Sequence, residues 1–69
     1  MKLKELRIFA NMKQIEVANR IGCSPVAYSR YERGTRQPDI AILWKLADLF
    51  GVSIDAIVGR TVATETAMQ

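Results

Sequence analysis

The sequence predicts an all-α protein, a compact bundle of five short helices, and three observations carry that prediction. Apolar residues recur at three- and four-residue spacing in each periodic segment, and no stretch alternates with the period of two that a half-buried strand needs. The segments are separated by residues that stop or start helices: Gly22-Cys23-Ser24-Pro25, then Gly34 onward to Pro38-Asp39, then Gly51-Val52-Ser53. No connection exceeds about six residues, so successive helices must fold back on one another.

At 69 residues the chain makes one domain, near the small end of what folds without staples. A hydrophobic content of 49% supplies apolar side chains for a core and argues against disorder. The single cysteine has no internal disulfide partner, and with no histidine a zinc site has no plausible ligand set, which fits a reducing cytoplasm. Without histidine the commonest general base is missing, and no carboxylate pair stands out as a catalytic couple. The expectation is a protein that is not an enzyme, with no cofactor and no evident small-molecule ligand. The amino terminus lacks a signal-peptide pattern, and the most apolar run, residues 40–44, is far too short to cross a bilayer before Lys45 interrupts it. No membrane partner is expected, and the location implied is the cytoplasm.

Residues 2–10 form the first predicted helix, with Leu3, Leu6 and Ala10 on one face and Lys4 and Glu5 turned away. Asn11 can end it by taking a left-handed backbone. Ile8 and Phe9 widen the apolar stripe, and extra core is favoured over a partner surface. Met12 then closes over the core.

Gln14–Ile21 is the second helix, with Val17, Ala18 and Ile21 inward and Ile15 off the stripe. Lys13 is a poor cap for it. Ala18 is small enough for another helix to cross close by, and Gly22 can take the left-handed conformation that ends a helix abruptly. Cys23 is expected as a small buried hydrophobe. Ser24 caps the third helix, Pro25–Arg33, and Pro25 occupies the first position, where no amide hydrogen is needed. Two helices joined in this way have the layout of a helix-turn-helix.

On the third helix Tyr28 and Tyr31 face inward, and Ser29, Arg30 and Arg33 face the other way. A loop with turn chemistry follows, Gly34-Thr35-Arg36-Gln37-Pro38. Asp39 caps a fourth helix with a stripe of Ile40, Leu43, Leu46, Ala47 and Phe50, ended by Gly51. Trp44 lies beside that stripe, and core filling is favoured over an interface. Ser53 caps a short fifth helix that buries Ile54, Ile57 and Val58 and stops at Gly59. Residues 1–60 make up the domain, and residues 61–69, without an apolar period, form a frayed tail.

Charge singles out one region. Between Lys13 and Arg36 lie Lys13, Arg20, Arg30, Arg33 and Arg36 against Glu16 and Glu32, while charges elsewhere cancel, so the formal net charge of +3 resides on the helix-turn-helix. A polyanion is the natural partner.

With these residues in place the chain resembles the phage-repressor and Cro-type (XRE-like) helix-turn-helix family over residues 3–58. The resemblance rests on Leu6-Arg7, Gln14, Val17-Ala18, Ile21-Gly22, Ser24, the run from Ser29 to Gly34, Pro38, Leu43, Leu46-Ala47 and Gly51-Val52-Ser53. It implies the lambda-repressor-like fold and a sequence-specific regulator of transcription, a repressor that binds double-stranded DNA as a homodimer on a palindromic operator. Pro25–Arg33 would be the recognition helix in the major groove. In the family the residue matching Gln14 bonds a phosphate, those matching Ser24, Pro25, Val26, Ser29 and Arg30 face the bases, and the loop matching Arg33, Thr35 and Arg36 follows the backbone. A buried ion pair in the family matches Arg7 and Glu32. Pro25 and Val26 depart from positions that are often polar, and Val26 could touch a thymine methyl instead. Tyr28 replaces the usual aliphatic residue and implies a repacked core.

Arg30 can read guanine O6 and N7 together or hold a phosphate, and both readings stay open. Ser29 is expected to support rather than specify, and Gln14 to contact phosphate in preference to being an ordinary solvated side chain. The dimer surface is sought on the fifth helix, with pure core as the competing reading of its apolar residues. The rival function is a protein-interaction module of the same fold, antitoxin-like or bridging to RNA polymerase. With no effector domain in these 69 residues, the chain is either a regulator controlled by concentration or partner, or the DNA-binding part of a longer one.

Overall fold

The computed structural model describes residues 1–59, and the expectations for Arg60 and the tail at 61–69 lie outside the described residues. Five helices follow one another: α1 Leu3–Phe9, α2 Gln14–Ile21, α3 Pro25–Arg33, α4 Ile40–Phe50 and α5 Ile54–Val58. Among the described residues there is no strand. None of the helices is long enough to be stable alone in water, since isolated helices shorter than about 12 residues are marginal, so tertiary packing must hold them.

Local chemistry nevertheless sets where each begins. Ser24, Asp39 and Ser53 all adopt extended backbone and accept a hydrogen bond from the amide three residues on, at 3.1, 2.9 and 3.1 Å from Ala27, Ile42 and Ala56. Lys13 offers no side-chain cap, but Glu16 reaches back to accept from its amide at 2.7 Å. At the end of α2, Gly22 sits at φ +77° with nothing within 4 Å of where a Cβ would be, so its requirement is conformational rather than steric. Asn11 ends the first helical segment at φ +60°, as expected for a residue that tolerates the left-handed region.

The core is assembled from all five helices: Leu3, Val17, Ala18, Ile21, Tyr28, Tyr31, Leu46 and Ile57 are buried, with Leu6, Met12, Ile42, Leu43, Leu49, Phe50 and others packed around them. The amide of Lys2 donates to Ile57 O at 2.7 Å, which ties the start of the chain to α5.

Several apolar residues expected inside are on the surface. On α1 the inward face is taken by Leu3, Leu6 and Arg7, and at roughly 100° per residue Ile8 and Phe9 rotate off it; Phe9 is 92% exposed. On α4 the buried face centres on Leu46 with Ile42, Leu43, Leu49 and Phe50 flanking it, which places Trp44 about 160° away. Trp44 is 62% exposed and Ile40 57%. Ile57 is buried on α5, but Ile54 and Val58 are half-buried, as is Cys23 in the turn, where burial pushes its thiol pKa up.

Polar contacts join α1, α2 and α3. Arg7 Nε donates to Glu32 Oε2 at 2.6 Å, and a second guanidinium nitrogen reaches Oε1 at 3.3 Å. The remaining terminal nitrogen donates to Met12 O at 3.0 Å. Gln14 Nε2 donates to Glu32 Oε1 at 2.9 Å. The Glu32 side chain is only 4% exposed. Burial alone would raise its pKa, but the donors around it win and hold the carboxyl below its ordinary value. The Tyr28 hydroxyl is buried beside this pair, near enough to feel both charges yet without a hydrogen-bond partner, and burial followed by the Glu32 carboxylate keeps the phenol from ionising.

Three stability outcomes follow from this cluster. Arg7→Ala should cost about 3–5 kcal/mol in denaturant melts, because Glu32 stays buried without its cation, while Glu32→Ala should cost less because the long arginine stem can turn its head to water. A loss under about 1 kcal/mol for Arg7→Ala would show the pair to be worth no more than a surface bridge. Because the folded carboxyl of Glu32 is the lower one, its contribution is complete at neutral pH. It begins to fade near the unfolded value of about 4.3 and is lost as pH falls through the folded value. Melts of Glu32→Gln across that range should therefore be flatter than those of the natural chain. Finally, Tyr28→Phe should leave stability unchanged or raise it by up to about 1 kcal/mol, since it removes a buried hydroxyl with no partner; a clear loss would reveal a bond from that hydroxyl.

Candidate nucleic-acid interface

The exposed side of α3 is defined by what its other side buries. Tyr28 and Tyr31 point into the core, and Glu32 is held against α1 and α2, which fixes the rotation of the helix about its own axis. At roughly 100° per residue, Val26, Arg30 and Arg33 then fall within about 60° of one another on the face opposite Tyr28, with Ser29 at its edge. Val26 is 60% exposed, Arg30 and Arg33 are exposed and Ser29 is half-buried. Ser24 and Pro25 are exposed at the capped end.

This helix has no acidic residue in its first turn, and Arg30 and Arg33 stand in its last, where cations complement the partial negative charge of the free carbonyls. The loop leaves through Gly34, whose amide donates to Tyr31 O at 3.2 Å. Thr35 folds back, donating to Arg30 O through its amide at 3.1 Å and through its hydroxyl at 3.4 Å. Its hydroxyl is thus engaged in ending α3. Arg36 and Gln37 remain exposed, and Pro38 is buried at the end of the loop.

Gln14 does not extend freely from the start of α2. It is half-buried, with its amide nitrogen on Glu32. That link joins residues 18 apart and has no local signature, so helical periodicity could not reveal it. Gln37, exposed beside Arg36, is a further candidate that attention to charge alone passes over.

Arg20 belongs to another surface. It lines a shallow depression with Lys45, Asp48 and Leu49, so the sequence window that contains the excess charge is divided between two faces. Arg30, Arg33 and Arg36 remain together on α3 and its loop. Among the described residues no group of histidine, cysteine and carboxylate side chains could hold a metal ion, and no helix is long and apolar enough to cross a membrane.

Comparison with known proteins gives the same register. The helix-turn-helix family model matches residues 3–57. The cryptic phage CTXphi transcriptional repressor RstR of Vibrio cholerae is 40% identical over 57 residues, covering 83% of this chain and 51% of that protein. The transcriptional regulator AnsR of Bacillus subtilis (strain 168) is 37% identical over 68 residues, covering 99% of this chain and 59% of its own length. The regulator ImmR of the same organism is 39% identical over 59 residues, which cover 86% of this chain and 46% of ImmR. This chain therefore spans about half to three-fifths of the curated relatives named here. No solved structure matches. Five helices in this order, a capped α3 with an exposed basic face and a family match across nearly the whole described region place this chain in the helix-turn-helix family of phage-repressor-like transcriptional regulators.

Proposed function

We infer that the protein is a sequence-specific repressor of transcription that binds double-stranded DNA, with α3 in the major groove. The observation that carries this reading is the stripe of Val26, Arg30 and Arg33 on the outward face of a helix whose rotation is fixed by Tyr28 and Glu32. Arg30 presents a planar fork suited to guanine O6 and N7, and Val26 an apolar contact for a thymine methyl. Pro25 adds apolar contact at the helix start, and Ser29 supports its neighbours. Ser24 accepts from Ala27 with its hydroxyl oxygen and keeps its own proton for a phosphate or base. Arg33 and Arg36 hold the backbone, and Thr35 shapes the loop that carries them. Gln14 bonds a phosphate from the start of α2, where unpaired amides and the helix dipole favour an anion.

Titrations separate readers of bases from holders of the backbone. Arg30→Ala should weaken a selected cognate duplex by about 1–3 kcal/mol with a smaller loss on a scrambled one. Arg36→Ala should weaken both alike and make the salt slope shallower by about one unit. Equal losses on both duplexes for Arg30→Ala would reduce it to a phosphate contact, and no affinity of the natural chain for any duplex would remove the DNA-binding reading.

The working unit on DNA is a two-fold dimer, because one α3 covers too few base pairs to find a site in a genome. Two copies spaced one helical turn apart, about 34 Å, would read a palindrome. Ile54 and Val58 on α5 retain exposed area, and Ile40 and Trp44, one turn apart on α4, add a larger apolar surface. Trp44→Glu leaves the core intact and should abolish two-to-one binding if α4 forms the contact; Val58→Glu should do so if α5 does. Retention of that stoichiometry by both folded variants would place the contact elsewhere, and asymmetric selected sites would exclude the dimer.

A protein-interaction module on this fold is the second reading, favoured by the exposure of Ile8 and Phe9 on α1 and Ile15 on α2. It adds to DNA binding rather than excluding it.

A further inference from the structure

We propose that Tyr28 is a positioning residue for the reading face: its hydroxyl, without a partner in the free protein, closes onto the Glu32 carboxylate when α3 seats in its DNA site. The proposal rests on the DNA-binding reading and assigns to it a further residue, one that touches no DNA.

Tyr28 is the largest of the fully buried side chains, and its hydroxyl oxygen has no hydrogen-bond partner among the described residues. Phenylalanine would fill the same space with its ring, so packing gives no reason for the oxygen. Leaving a hydroxyl buried and unbonded destabilises the folded chain, and most such groups in native proteins do find a partner.

An acceptor is at hand. Tyr28 and Glu32 lie four residues apart on α3, hence on one side of the helix, and the phenol is close enough to feel the charges of both Glu32 and Arg7. Each carboxylate oxygen can accept two bonds. Among the described residues Oε1 receives Gln14 at 2.9 Å and a guanidinium nitrogen at 3.3 Å, while Oε2 receives only Arg7 Nε, at 2.6 Å. One acceptor position on Oε2 is thus open beside an unbonded donor, and a bond there would be charge-assisted.

What keeps the two apart is where each is anchored. The carboxylate is drawn toward α1 and α2 by their donors, and Arg7 is itself fixed to Met12 O at 3.0 Å. The phenol is a stiff ring that travels with the α3 backbone. Their separation therefore follows how α3 sits relative to α1 and α2. Arg7 also grips unevenly, at 2.6 and 3.3 Å, so the longer bond leaves the carboxylate room to turn. Arg30 and Arg33 stand two residues before Glu32 and one after it, so contacts made through them load α3 within a turn of this cluster. A shift that brings the hydroxyl to Oε2 satisfies a buried group and adds a bond to an ion, and that gain belongs to the DNA-bound position alone. Differential stabilisation of this kind is what moves an equilibrium between two positions.

Tyr28→Phe separates this role from packing, because its effects on folding and on binding have opposite signs. Thermal melts of the free variant should match or exceed those of the natural chain, whereas affinity for a duplex selected from a random pool should fall about tenfold. On a scrambled duplex, where the hold rests on phosphates, the loss should be less than about threefold. Lowered melting would mean that the hydroxyl is already bonded in the free protein. Undiminished cognate affinity would mean that the bond never forms on DNA, and equal losses on both duplexes would mean that the hydroxyl has no part in seating α3; each of these overturns the proposal. Should the variant not fold, carbon NMR of the natural chain decides. On adding the selected duplex the Tyr28 Cζ and Glu32 carboxyl signals should shift together, and an unmoved Cζ overturns the assignment. Binding of no duplex at all by the natural chain would instead remove the DNA-binding reading itself.

Discussion

Glu32 is the group on which three helices depend. It is carried by α3 and receives donors from α1 through Arg7 and from α2 through Gln14. Burying a charged pair is an expensive way to join helices, and well-packed apolar residues are often as stabilising or more so. Apolar packing of Tyr28 and Tyr31 chooses the inward face of α3, and a directional bond narrows its rotation further. A carboxylate with donors at 2.6, 2.9 and 3.3 Å does have direction, and α3 is the helix whose rotation matters, since the face opposite Tyr28 carries Val26, Arg30 and Arg33. The uncapped Tyr28 hydroxyl fits the same priority: a large aromatic ring fills the space under the pair, and its polar atom is tolerated without a partner.

The small core makes such local devices weigh more. Stability of a domain this size is a few kcal/mol, and a serine or aspartate cap contributes about 1 kcal/mol. The caps at Ser24, Asp39 and Ser53 are therefore a substantial share of what separates folded from unfolded chain. They also fix the places where the chain changes direction. Ser24 and Gly22 together let α2 end and α3 begin within three residues, which brings the starts of α2 and α3 into the spatial relation that the proposed DNA contacts require.

These boundaries were legible in the sequence because they are set by short-range chemistry. A glycine at φ +77°, a serine bonding three residues ahead and a proline at the first helical position each work through neighbours only. The inward face of α3 was also legible, since Tyr28 and Tyr31 leave few alternatives. The face of α4 was not. Ile40, Ile42, Leu43, Trp44, Leu46, Leu49 and Phe50 offer apolar residues nearly all round the helix, so periodicity does not choose, and the choice falls to which side α2 and α5 cover. The chosen side is centred on Leu46 and excludes Trp44. Phe9 was misplaced for a related reason: the charged Arg7 occupies part of the inward face of α1, a preference that only the position of Glu32 explains. The Gln14–Glu32 bond joins two helices at a distance of 18 residues and leaves no trace in local pattern.

The apolar surface left over is distributed in a way that bears on function. The α3 stripe is mostly basic and polar, as the proposed contact with phosphates and base edges requires, because buried but unpaired base edges would cost more than apolar contact returns. Ile40 and Trp44 on α4, and Ile8 and Phe9 on α1, are exposed on other helices. Among the described residues a tryptophan and a phenylalanine stay exposed, so part of the apolar side-chain content is not used for the core. Exposing them carries a risk of aggregation that a solitary monomer has no reason to accept. Pairing through one such face would put two α3 helices on one rigid body, so that the second engages DNA as an intramolecular event and weak single-helix binding becomes a tight, symmetric one. In such a pair the polar cluster at Glu32 would serve the same end, since doubling the number of reading heads is useful only if each is held at a defined angle.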